Sequence, residues 1–269
     1  MKRREFLTRL GGTMASVRAI ACVVLIMMCA SAVAAEPDRS GKPTSAEAYM
    51  RVNPIIFVVA HGDADACGQG CSEWIAAEGM FDPDAEKRFR NFLGTLKGRK
   101  LPIYFNSIGG VMGQSRLLGR ILREREMTAS VGATIPKGCR VSNPMDASCR
   151  QIMQSNKEVT AQLLSVGAMC HSACIYALIG ASVRHVPAGA LLGIHAAAPT
   201  SASIAILRRP GAPTEQQFEA SRKRYVREMG ADPELVDLAA KTPAESLHIL
   251  SRDEIVRFRI ETRGVAGAQ

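Results

Sequence analysis

The stretch Tyr104-Phe105-Asn106-Ser107-Ile108-Gly109-Gly110 runs an apolar strand straight into a pair of glycines. Leu101 to Asn106 reads as the strand, and the di-glycine stands at the mouth of a helix. Glycine permits a tight turn with positive φ and lets backbone N–H groups point into a cleft. The following helix carries Leu117, Leu118, Ile121 and Leu122 inward and Arg116, Arg120 and Arg123 outward. Downstream, Cys170-His171-Ser172-Ala173-Cys174 sets a serine at a strand-to-helix junction. There its hydroxyl can project, and the helix N-terminus favours a developing negative charge. A third piece, Leu191-Leu192-Gly193-Ile194-His195, is a strand ending in histidine, 23 positions after the serine.

Outward from these pieces the chain alternates strands and helices, which is the pattern of an α/β fold. Pro54 to Ala60 is a continuous β-branched and apolar run, so a buried strand. Trp74 to Ala77 is short and apolar, and periodicity alone does not decide between strand and helix. Asp82-Pro83 signals a helix start, with Phe89, Phe92, Leu93 and Leu96 as its apolar face. Met127 to Val131 reads as a strand. Residues 133–150, with Pro, Gly and two Cys, read as a surface excursion, and Ser155 to Met169 as a helix and a strand. A short helix follows over 172–179, then strands over 183–186 and 191–195. Residues 199–214 read as a loop, and helices are expected over 215–229 and 233–240, with a last element within 249–260.

The three pieces together resemble the Clp protease proteolytic-subunit and crotonase superfamily. Its protease members read N-S-P-G-G after a strand, then G-x-S-M-G around a nucleophile, then a strand ending I-H with the general base. Asn106-Ser107-Ile108-Gly109-Gly110, Ser172 and Ile194-His195 fall in that order at near-matching separations. The resemblance covers about residues 72–261 and favours Trp74 to Met80 as a strand. It implies a ClpP/crotonase-like fold of repeated ββα units, with helices packed on a mostly parallel sheet.

By the same resemblance, Ser172 matches the nucleophile and His195 the general base. The backbone N–H groups of Gly109, Gly110 and Ala173 match the oxyanion hole. The chain departs from the pattern at Ile108, where the family has proline, and at Cys174, where it has glycine. The family's third triad member, an Asp, falls near Ser246 or Leu247, with Glu245 the nearest carboxylate. A Ser–His dyad is therefore expected, hydrolysing a peptide or protein substrate. Two other classes stand beside it: a binding or assembly module that kept the fold and lost the chemistry, and, ranked last, a crotonase-type acyl-CoA enzyme. The superfamily's habit of assembling through its helices implies a homo-oligomer. His61, His185 and His248 read as surface residues, and His171 as pointing away from the serine.

Export decides the chemical setting. Residues 1–18 carry Lys2, Arg3, Arg4, Arg9 and Arg18 against Glu5. An uncharged run over 19–35 follows, closing on Ala32-Val33-Ala34, the small-x-small pattern of a signal cleavage site. Lys2-Arg3-Arg4 also looks like a twin-arginine signal, and Met14 is an alternative start. If uncleaved, these 17 residues, apolar except for Ser31, would reach about 25 Å, short of the roughly 30 Å hydrocarbon core. The expected organisation is a signal peptide or membrane anchor over 1–35, a polar linker over 36–53 and a single domain over 54–269. The location is periplasmic or exported, with any membrane contact confined to the N-terminal segment.

The formal charge is +9 for the whole chain; five bases against one acid take +4 of it into the signal, leaving +5. The remaining bases are scattered, without a run or interleaved aromatics, which argues against nucleic acid. Of eight cysteines, Cys22 and Cys29 lie in the signal. The other six form an even set for an exported protein, which reads as disulfides. They fall in local pairs: Cys67 and Cys71, Cys139 and Cys149, Cys170 and Cys174. Six cysteines allow 15 pairings, so the partners stay open at this level. Cys170, His171 and Cys174 could hold a metal, but their spacing matches no usual zinc pattern. No metal and no cofactor is expected.

Overall fold

The computed structural model describes residues 45–142, 145–155, 157–197 and 210–262. The expected signal or anchor over 1–35 and most of the 199–214 loop lie outside them. The described residues all fall within one compact unit, Pro43–Gln269. Among them no helix is long and apolar enough to cross a membrane.

The unit begins ahead of residue 54. Where the polar composition of 36–53 predicts a linker, helix α1 forms over Ala46–Val52. Ser45 is its cap, accepting the Ala48 N–H at 3.1 Å. Strands β1 (Ile56–His61) and β2 (Glu73–Glu78) are an antiparallel hairpin. The apolar run through β1 is buried on both faces. Ile56, Val58 and Ala60 pack with Trp74 and Tyr104, while Ile55 and Val59 join the larger core. Helix α2 runs over Ala85–Thr95, two residues later than the Asp82-Pro83 signal suggests. Asp82 is engaged by the Asp84 N–H and by Arg88, so Asp84 takes the cap position.

Strand β3 (Ile103–Asn106), helix α3 (Met112–Glu124) and strand β4 (Thr128–Val131) form a right-through strand–helix–strand unit, with β3 and β4 parallel. Residues 133–150 are no surface excursion. They contain strand β5 (Ala133–Pro136), all four residues buried, and the start of helix α4 (Ala147–Met153). A short strand buried on both faces has no alternation to read. The Asp146 carboxylate caps α4 by accepting the Cys149 N–H at 2.9 Å. The helix expected between Ser155 and Met169 thus lies earlier, and that segment supplies strands β6 (Val159–Leu164) and the start of β7 (Met169–His171). Helix α5 (Ala173–Leu178), strands β8 (Val183–His185) and β9 (Leu191–Ile194), helices α6 (Glu215–Glu228) and α7 (Glu234–Lys241), strand β10 (His248–Ile249) and helix α8 (Arg252–Arg257) complete the described chain.

The main sheet has seven strands in the order β5-β6-β1-β2-β3-β4-β8. Its β2, β3, β4 and β8 run parallel, as do β1 and β6, while β1–β2 and β5–β6 are antiparallel. A second sheet, β10-β9-β7, meets the first through a parallel bridge between Ser107 and Cys170. The strand–helix alternation leads one to expect this α/β class, and the resemblance implies its mostly parallel sheet.

One buried cation closes the C-terminal side. Arg184, 4 % exposed, donates to the carbonyls of Ile179, Ala181, Met229, Arg259 and Ile260. Burial pulls its pKa down to about 10 from the usual 12.5, with the Arg123 charge adding to the effect. It faces carbonyl dipoles in place of a carboxylate, so the site stays charged and satisfied.

Candidate functional site

The site is assembled where the two sheets meet. Beyond β3 the chain continues as an extra strand beside β7: Ser107 N–H donates to Met169 O at 2.7 Å, and His171 N–H to Ser107 O at 2.9 Å. It then turns through Gly109 (φ 108°) and Gly110 (φ 131°). Only glycine fits these two positions. A Cβ on Gly109 would stand 2.8 Å from the Ser172 Cβ, and one on Gly110 would stand 2.4 Å from the Phe81 carbonyl oxygen. The glycine turn is therefore packed directly against Ser172, with the Ala173 nitrogen 3.2 Å from the absent Cβ.

Ser172 itself has φ 54° and ψ −119°, left-handed backbone for a residue with a side chain. Such a conformation costs of order 1–3 kcal/mol and persists where the surroundings over-determine it. Ser172 occupies the cap position of α5, yet its hydroxyl makes no capping hydrogen bond. A serine kept only as a helix cap would use that oxygen for the N2 or N3 N–H. A sharp strand-to-helix turn of this kind exposes a side chain at the end of a sheet.

The parallel pairing of β7 and β9 sets His171 opposite Gly193, and Ser172 N–H donates to Gly193 O at 2.7 Å. His195 follows two residues on, half-buried. Its Nδ1 lies 2.6 Å from the carbonyl oxygen of Ala196. A carbonyl only accepts, so Nδ1 carries the proton and Nε2 is left as the basic nitrogen. Among the described residues no carboxylate is hydrogen-bonded to His195. Near the position where the resemblance would place one, Leu247 lies over Gly193, within 2.8 Å of where a side chain there would begin. Glu245 is exposed, and Glu254 is engaged with His248.

Two other histidines have carboxylate partners. His61 is paired with Glu73 and Glu158, and His248 with Glu254, so neither stands alone on the surface. His171 lies close enough to His195 for their charges to interact. Burial holds its imidazole below the usual 6.5, and the nearby charge of His195 lowers it further. Its Nε2 is buried without a hydrogen-bond partner among the described residues.

Of the three backbone N–H groups that the resemblance assigns to an oxyanion hole, Gly109's donates to Ser107 Oγ at 3.2 Å. That leaves Gly110 and Ala173, the latter the first residue of α5. The first four N–H groups of a helix have no intrahelical acceptor.

The six cysteines are three disulfides between chain neighbours: Cys67–Cys71, Cys139–Cys149 and Cys170–Cys174. The last brackets Ser172. Its two sulfurs are bonded to each other, which removes them as thiolate ligands beside His171.

The sequence reading missed Glu78, at the end of β2. It is 4 % exposed; its Oε1 accepts the Thr134 N–H at 2.6 Å and its Oε2 an Asn106 Nδ2 hydrogen at 2.9 Å. Asn106 Oδ1 in turn accepts the Met169 N–H at 3.0 Å. This carboxyl ties the ends of β2, β3, β5 and β7 together directly behind the glycine turn. Burial pushes its pKa up to about 7 from 4.5, against the opposing pull of these hydrogen bonds and of Arg150. The available signal was an acid at the C-terminal end of an apolar run.

No family profile matches the chain, and no curated protein matches it by sequence. Solved structures are similar to it at low identity. A serine-to-alanine variant of the 1510-N membrane-bound stomatin-specific protease has 8 % identity and a TM-score of 0.38, covering 69 % of this chain and 76 % of that one. A lysine-to-alanine variant of the same protease, in complex with a substrate peptide, has 13 % identity and a TM-score of 0.37, covering 68 % and 69 %. An asparagine-to-aspartate variant of ClpP1 from Listeria monocytogenes has 15 % identity and a TM-score of 0.36, covering 66 % and 80 %. These are ClpP-like proteases, and at such scores the likeness carries no argument about activity.

Proposed function

We propose that the protein is an exported serine hydrolase of the peptidase class, acting through a Ser172–His195 dyad. The carrying observation is Ser172: a strained residue at a strand-to-helix turn whose hydroxyl does not cap its helix, set against the strand that leads into His195. In this reading His195 Nε2 takes the Ser172 hydroxyl proton as the oxygen attacks the scissile carbonyl. The backbone N–H groups of Gly110 and Ala173 receive the oxyanion, each worth about 3–4 kcal/mol. His195 then returns the proton to the leaving amine, and water cleaves the acyl-enzyme.

The missing carboxylate need not abolish the chemistry. Its replacement by an amide in serine proteases is severe because the imidazole takes the wrong tautomer. Here the Ala196 carbonyl holds the proton on Nδ1. What is lost is stabilisation of the imidazolium by a full negative charge, which predicts slow turnover. Export is supported by three disulfides, which belong to oxidising compartments, and by the signal pattern of residues 1–35.

The test is covalent labelling by a fluorophosphonate probe. Modification of the wild type and its loss in Ser172→Ala are expected. A folded wild type that stays unlabelled over hours, or an equally labelled Ser172→Ala, sinks the hydrolase reading. Leu247 over Gly193 favours one second reading, a binding or assembly module of the same fold; that outcome would leave it standing. Self-association is expected in either case, and sedimentation velocity reads it.

A further inference from the structure

We infer that the cavity behind the glycine turn receives a substrate side chain and selects an uncharged amide, glutamine or asparagine. The inference rests on the hydrolase reading above and names the substrate class of that same site. The cavity measures about 260 Å³. Ser107, Ile108 and Met169 line it. Ile108 immediately precedes the glycine pair, Met169 stands three residues before Ser172, and Ser107 and Met169 are hydrogen-bonded through their backbones. The cavity thus lies beside the strand pair that leads to Ser172, and Ser172 and His195 themselves are not in its lining. Its volume suits one long side chain and falls below the roughly 300–1,000 Å³ of sites for drug-sized ligands.

Met80, Ile135 and Val166 give it an apolar wall beside the polar Asn53, Asn106 and Ser142, and three ionisable residues line it: Tyr49, Glu78 and Arg150. Each carboxyl oxygen of Glu78 accepts one hydrogen bond from the protein and keeps a second lone pair. Arg150, 9 % exposed, donates to the Pro54 carbonyl, one use of five N–H groups. The two are close enough to influence each other's ionisation.

This pairing decides between side chains. A lysine or a glutamate would bring a third buried charge. Two further charges that act on Arg150, those of Asp82 and Arg88, are already paired with each other. An uncompensated buried charge is costly. A leucine would satisfy the walls but strip water from Glu78 and Arg150 without replacing its hydrogen bonds. An amide does both jobs: its carbonyl accepts from Arg150, its NH₂ donates to Glu78, and its methylenes lie on the apolar wall. Sites built to hydrogen-bond a substrate group reject analogues that lack it far more strongly than apolar pockets discriminate by size.

The experiment compares four fluorogenic peptide substrates that differ only in the residue preceding the scissile bond: Gln, Leu, Lys or Glu. The oxidised full chain is used. A kcat/KM for Gln more than fivefold above each of the others is expected. Any other ranking, or a smaller margin, overturns the inference. Binding of the same four peptides to Ser172→Ala, read by fluorescence anisotropy, should rank them in the same order without requiring turnover. An unlabelled wild type with Gln-selective binding would sink the hydrolase reading alone. Labelling with flat binding would sink this inference alone. In Arg150→Met, with folding checked by circular dichroism, the preference for Gln over Leu should fall to within twofold; an unchanged preference also overturns the inference.

Discussion

Two disulfides of identical spacing do different work in this molecule. Cys67–Cys71 and Cys170–Cys174 each span a sequence separation of 4, with Cα atoms 5.0 and 5.1 Å apart. The outer one closes the half-exposed turn between β1 and β2, where Gly68 and Gly70 adopt positive φ. Glycine takes that conformation without steric cost. The inner one lies wholly in the core, and the positive φ between its cysteines falls on Ser172. The same cross-link thus closes a relaxed loop in one place and confines a strained one in the other. A staple that holds strain against a neighbouring turn fixes where a side chain points; a staple around glycines only shortens the unfolded chain.

The sharpest way to break the comparison is to make the inner loop resemble the outer one. Ser172→Gly should lose fluorophosphonate labelling entirely while relieving backbone strain, raising stability by about 1 kcal/mol in thermal or urea unfolding. A loss of stability would mean that Ser172 is not strained. Next in size, His195→Ala should slow labelling by roughly 10²–10⁴-fold, the usual range for removing a general base. An unchanged rate would separate the histidine from the serine.

Glu78 has no counterpart at the outer staple. Its folded pKa of about 7 lies above the unfolded value of 4.5, so the folded state binds the proton more tightly. Its contribution to stability is full below pH 4.5, declines as pH rises and is gone above 7, a change of roughly 3 kcal/mol. In Glu78→Gln that slope in the stability-versus-pH curve should vanish. Persistence of the slope would assign it to another group.

Removing the staples themselves gives the smallest effects and the most direct contrast. Cys170→Ala with Cys174→Ala should cost about 2 kcal/mol by the chain-entropy estimate for so short a loop. It should also slow labelling at least tenfold. Cys67→Ala with Cys71→Ala should cost a similar amount or less and leave labelling unchanged. Equal effects on labelling would erase the distinction.

The parts of the site that could be read in the sequence are those where backbone geometry restricts residue type. Gly109 and Gly110 announce a turn because no other residue fits against Ser172 and Phe81. The strand-to-helix change around Ser172 follows from hydrophobic patterning. Strand β5 could not be read in this way. It is four residues long, buried on both faces and adjacent to Gly132 and Cys139, so it has neither period nor typical flanks. What specifies it is tertiary: its Thr134 gives its N–H to Glu78 and accepts from the Trp74 indole at 2.9 Å. The setting of His171 could not be read, because orientation at a strand end depends on pairing register, and the partner strand β9 lies 20 residues away in sequence. Helix α1 was hidden by its shortness and by the Pro- and Gly-containing polar stretch just before it, although Ser45 is an ordinary cap. Glu78 and Arg150 come from segments 72 residues apart in sequence, and only the folded sheet brings them to one cavity.

The carbonyl cage around Arg184 bears on how the protein is made. Two of its five acceptors, Arg259 and Ile260, belong to the last described turn of the chain. Until that turn docks, the guanidinium has no dry place to go, and the core around β8 must stay open to water. Folding of this side therefore waits on the arrival of residues 259–260. A chain interrupted before them would carry an unburied cation at the edge of its main sheet, a built-in mark of incompleteness for a protease to find.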